Sequence, residues 1–100
     1  MVGRVPTAVG RGMRDLGEHL TAWRKLNGIT QALLAERANV SIGTVQSVEA
    51  GRSVSSENLA KVLWVLGILD TVVGAADPLA SDVGRLRADQ QLPQRVRTPK

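Results

Sequence analysis

The stretch "QALLAERANVSIGTVQSVEAG", residues 31–51, holds two runs of helix-forming residues split by Asn39-Val40-Ser41, a break too short for a full loop. Thr30 is a candidate N-cap for a helix over about residues 30–38, with Leu33, Leu34 and Ala38 directed inward. Asn39 stands where a left-handed turn residue is wanted, because Asn tolerates positive φ better than most residues. Ser41 offers the N-cap of a second helix over about residues 41–50, and Gly51 closes it. Two uses of such a corner are open. It is either a bend in an all-helical domain or a device that presents its second helix to a DNA groove.

The side chains of the second helix favour the latter. At about 100° per residue, Val45 and Val48 fall on one side, while Gly43, Gln46, Ser47 and Ala50 fall on the other. A purely structural surface helix more often carries Glu, Lys and Arg on its outer face. A small, uncharged polar face instead lets the backbone enter a groove about 12 Å wide and hydrogen-bond within it.

Upstream, "MVGRVPTAVGRG" mixes Gly, Pro and Arg without periodicity and reads as a flexible basic arm over residues 1–12. A helix is predicted from near Met13. Leu16, Leu20 and Trp23 share a face and read as core, and Gly28 ends the run. Downstream, Ser55 or Ser56 caps a fourth helix whose inward stripe is Leu59, Val62, Leu63 and Leu66. A short fifth helix spans Ile68 to Gly74 and is ended by Asp77-Pro78. Residues 76–100 have weak periodicity: "SDVGRLRA" makes at most a helical turn, and "LPQRVR" reads as extended.

Composition narrows the function. With no Cys and a single His, His19, the chain holds no disulfide framework, Cys-based zinc site or cysteine nucleophile. No nucleophile–base pair, phosphate loop or carboxylate–metal cluster can be assembled, so neither an enzyme nor a metal or cofactor is expected. The first fifteen residues lack the apolar run of a secretory signal. The longest apolar stretch, "VLWVLGILDTVVGAA", falls short of the roughly 18 residues that span a bilayer and contains Asp70. A cytoplasmic protein without a membrane segment is the expectation. The net charge of +4 lies entirely in the flanks: residues 15–74 sum to −1, whereas residues 1–14 and 75–100 are basic. An anionic partner would therefore be attracted mainly by the tails and the helix ends.

Several of these features occur in register. Arg24 closes the first helix, Ile29-Thr30-Gln31 opens the second, Ala38-Asn39-Val40-Ser41 makes the turn, and Thr44-Val45 with Glu49-Ala50-Gly51 marks the third. Over residues 16–68 the chain resembles the helix-turn-helix domain of the Cro and phage-repressor (XRE) family. The resemblance implies an all-α, five-helix, lambda-repressor-like DNA-binding domain over residues 13–75, flanked by the arm and by a C-terminal tail over residues 76–100. It further implies that Gln31 and Arg52 contact DNA backbone. Ile42, Gly43 and Ser47 would face bases, with Ser41, Thr44 and Gln46 beside them. Arg24 and Glu49 match a family pair that forms an internal salt bridge. Arg4, Arg11 and Arg14 of the arm are candidates for further DNA contact.

The chain also departs from the family. Ile42-Gly43 lacks the Gln or Arg that makes bidentate base contacts, and Ala50 replaces a common phosphate-contacting Asn or Arg. Specificity then rests partly on two half-sites and DNA shape. Trp64 falls with Glu57 and Lys61, away from the inward stripe of its helix. With Val65, Leu69, Val72 and Val73 it suggests a homodimer surface or a seat for the tail.

The leading expectation is a dimeric regulator that binds double-stranded DNA, an autoregulating repressor on a palindromic operator. A HipB-like antitoxin that also holds a toxin through its C-terminal region is the alternative. A helix-turn-helix interaction module without DNA binding is the third.

Overall fold

The computed structural model describes residues 6–91. Among these residues the fold is all-helical: α1 Thr7–Leu26, α2 Gln31–Ala38, α3 Ile42–Ala50, α4 Ser56–Val65, α5 Leu69–Ala75, a 3-10 turn Pro78–Ala80, and α6 Asp82–Gln91. The chain forms two compact units, divided between Leu69 and Asp70. None of the described helices is long and apolar enough to cross a membrane.

In the first unit the starts of α2, α3 and α4 have a local cause. The Thr30 hydroxyl accepts the Leu33 N–H at 3.0 Å, that of Ser41 accepts Thr44 N–H at 3.0 Å, and that of Ser55 accepts Asn58 N–H at 3.0 Å. Each satisfies an N–H that the first turn of a helix leaves without a partner. At the turn, Asn39 adopts φ 57°, and its N–H and that of Val40 close the carbonyls at the end of α2. The core comprises Leu20 of α1, Leu34, Ala35 and Ala38 of α2, Val45 and Val48 of α3, and Val62, Leu63 and Leu66 from α4 and its end. Burying each of the larger side chains contributes about 1.5–3 kcal/mol.

Three features differ from the sequence reading. First, α1 begins at Thr7, so residues 7–12 of the expected arm are helical. Gly10 and Gly12 each weaken a helix by about 1 kcal/mol relative to Ala, which is why the segment reads as irregular. A tertiary contact lies next to it: the backbone of Met13 and Arg14 runs close against Gly51, and Val9, Gly10 and Met13 line a groove with Gly51, Arg52, Ser53 and Val54. Arg4 and the rest of the arm lie outside the described residues.

Second, Trp23 is not core; it is 43% exposed. The inward line of α1 runs through Gly17, Leu20 and Arg24, and Trp23 sits roughly 60–120° to one side of it.

Third, the C-terminal region contains a ten-residue helix, α6, making six α-helices among the described residues rather than five. Local hydrogen bonds hold it, which is why apolar periodicity gave no signal. Asp77 accepts the Leu79 N–H at 2.9 Å, Ser81 Oγ accepts the Gly84 N–H at 3.0 Å, and Arg85 pairs with Asp82 while donating to the Leu79 carbonyl at 2.9 Å. The "LPQRVR" segment lies outside the described residues.

Candidate nucleic-acid interface

The site is built around α3. Val45 and Val48 anchor it in the core, so the opposite edge faces outward by necessity. Gly43, Gln46 and Ala50 are exposed, as is Ile42 at 45%. Ile42 thus leaves nearly half of an apolar side chain open at the first turn of the helix, outside the core cluster. Thr44 and Ser47 are half-buried, and the Ser41 and Thr44 hydroxyls lie 3.0 Å apart. Ser41 is therefore committed largely to capping. A Cβ added at Gly43 would meet nothing closer than Ser41 Oγ at 3.8 Å, so the glycine leaves the outer surface of the first turn bare.

A polar cluster links the ends of three helices behind this edge. Arg24 Nε donates to Glu49 Oε2 at 2.6 Å and Nη2 to Oε1 at 3.2 Å, a bidentate pair. Its Nη1 donates to the Ile29 carbonyl at 2.9 Å, which fixes the α1–α2 connection as well. Gln31 Nε2 donates to Glu49 Oε1 at 3.0 Å. The side chains of Arg24 and Glu49 are only 12% and 7% exposed. Burial alone would push the Glu49 carboxyl up, but hydrogen bonds from Arg24 and then Gln31, together with the Arg24 charge, outweigh it and hold it below its ordinary value.

Gln31 thus has its amide N–H turned inward, a link that sequence reasoning missed; its position at the start of α2 was the only signal. Gly17 was missed too. A Cβ there would run into the Glu49 carbonyl oxygen and lie 2.7 Å from that of Val48, so only glycine lets α1 approach the end of α3.

The remaining candidates fall elsewhere. Arg52 is exposed just past α3, and Arg11 and Arg14 are exposed on α1. Trp64 is 67% exposed and lines an open surface groove with Arg37 and Val65, while Val65 and Leu69 are half-buried and also pack against the core. Val72 and Val73, in the second unit, are exposed.

A short helix capped by Ser41, docked by two valines and showing a small polar edge is the arrangement of a helix-turn-helix DNA reader. Residues 20–70 match the helix-turn-helix family model, and the chain belongs to that family, the XRE type of Cro and repressor-like DNA-binding regulators. No curated protein and no solved structure matches the chain.

Proposed function

We propose that this chain is an autoregulating repressor that binds a palindromic operator as a homodimer. The uncharged outer edge of α3 carries the reading, because it offers the exposed Gln46 amide and Ile42 side chain, two half-buried hydroxyls and no charge to repel or mispair. Gln46 would take adenine, Ser47 or Thr44 either base type, and Ile42 a thymine methyl. Gly43 would lie against the groove wall.

Gel shift of the duplex upstream of the chain's own gene is the test. Footprinting of the shifted complex should show two protected half-sites about 34 Å apart. No shift at low salt would overturn the reading. Gln46→Ala should weaken binding about 5- to 150-fold, equivalent to the loss of one bidentate contact of about 1–3 kcal/mol, with unchanged helicity. Trp64→Ala should leave the melting temperature of the dilute chain within a few degrees, since surface changes cost about 0.5 kcal/mol or less. It should shift sedimentation towards the monomer if Trp64 lies in the two-fold contact.

A second reading, an antitoxin of the HipB-like type, is favoured by Leu79, Val83 and Leu86, which are all exposed in the second unit. Exposed large apolar side chains close in sequence suit a protein partner. Co-purification of a toxin encoded beside this gene would support it, and retained toxin binding by a Val83→Asp/Leu86→Asp chain would count against this surface.

A further inference from the structure

We infer that the first two turns of α1 form a rigid phosphate clamp, in which Arg11 and Arg14 extend the DNA contact of Arg52 beyond the recognition helix. The inference rests on the DNA-binding reading above and concerns residues outside the family match, which begins at residue 20.

Packing locates the clamp. From Gly17, which touches the Val48 and Glu49 carbonyls, α1 runs back towards its start past the end of α3. A Cβ on Gly51 would lie 2.8 Å from Arg14 Cα, so Arg14 is held against the residue before Arg52. Gly51 itself has φ 78°, a conformation that, with this contact, admits no side chain. One turn earlier, Val9, Gly10 and Met13 line the groove with Arg52, Ser53 and Val54. The Arg14 guanidinium lies beside Gly10, where an added Cβ would meet its Nη1 at 3.5 Å.

On the helical wheel Arg14 falls within roughly 20° of Thr21, on the edge that continues to Arg24 and so to Glu49 and Gln31. That is the side of α1 shared with the start of α2 and the end of α3. Arg11 falls roughly 60° further round, one turn closer to the helix start.

Charge gives the occupant. Among the described residues, Arg11, Arg14 and Arg52 make no ion pair, and the undescribed residues contain no Asp or Glu. Three exposed, unpaired guanidiniums beside the end of a groove-reading helix suit consecutive phosphates of the duplex backbone. Because Arg11 and Arg14 stand on a helix, their backbone need not be ordered on binding, unlike that of cations on a flexible arm.

The test is binding of the full chain to a mixed-sequence duplex of about 30 base pairs, titrated from about 50 to 200 mM salt. Arg11→Gln/Arg14→Gln should bind more weakly, and the slope of log K against log salt should fall in magnitude by about 2, near 0.9 per phosphate. Arg37→Gln, which removes an exposed cation at the end of α2 away from Gln31, should keep the full slope. Arg11→Lys/Arg14→Lys should restore most of it. Equal circular dichroism and melting of the variants separates this from misfolding. A wild-type slope in the double Gln variant, or an equal drop in Arg37→Gln, overturns the clamp while leaving α3 as reader. Failure of the unaltered chain to bind any duplex overturns both.

Discussion

Replacing Glu49 by alanine is expected to destabilise the first unit by about 3–5 kcal/mol, because it leaves the Arg24 guanidinium nearly buried and without its carboxylate. At about 4–8 °C per kcal/mol for a domain of this size, the melting temperature should fall by more than about 12 °C. The loss falls on a junction rather than on one helix. Arg24 also holds the Ile29 carbonyl, and Gln31 shares the same carboxylate, so α1, α2 and α3 all lose a contact. Replacing both partners with apolar residues, Arg24→Met/Glu49→Leu, should cost less than Glu49→Ala, since no buried charge is left behind. A thermal melt in which Glu49→Ala matches the unaltered chain would refute the assignment.

The same pair sets an acid limit. The folded Glu49 carboxyl titrates below its ordinary value of 4.5, so its stabilisation is complete above that value and is lost as the pH falls through the lower, folded one. Glu49→Gln removes this proton linkage, so its stability should change less than that of the unaltered chain over that acid interval. An identical acid limb in both proteins would exclude Glu49 as its source.

Two glycine-to-alanine changes in α1 should act in opposite directions. Gly17→Ala drives a methyl group into the Val48 and Glu49 carbonyls, backbone atoms that cannot swing aside. Overpacking of this kind costs about 1–3 kcal/mol and forces α1 away from the end of α3. Gly12→Ala meets nothing within 4 Å on the same helix. It should stabilise by up to about 1 kcal/mol, by removing the flexibility of a helix-interior glycine. Chemical denaturation of both variants measures the difference. A Gly17→Ala chain as stable as Gly12→Ala would mean that α1 and α3 do not meet this closely.

The chain announces the corner from Thr30 to Gly51 residue by residue, and the candidate reading edge with it. Thr30, Ser41, Asn39 and Gly51 act within a few residues of themselves, through caps and left-handed turns, so their roles are visible in a short window. Val45 and Val48 are legible for a similar reason: helical periodicity alone puts them opposite Gln46 and Gly43.

Other features depend on partners far along the chain. Nothing near Trp23 says that the inward line of α1 passes through Gly17 and Arg24 instead. That line is set by where the end of α3 lands, and it leaves Trp23 on the edge. Likewise, Gly10 and Gly12 mark residues 7–12 as a weak helix, and the close approach of Gly51 to Met13 and Arg14 is a partner that no short window around them shows. By itself, then, the sequence determined the helix-turn-helix, its caps and the outward edge of α3, because short-range hydrogen bonds and helical period suffice for these. Only the tertiary structure decided how far α1 extends and which of its faces is buried, and so that Arg11 and Arg14 stand on a rigid helix, because those depend on packing between distant segments.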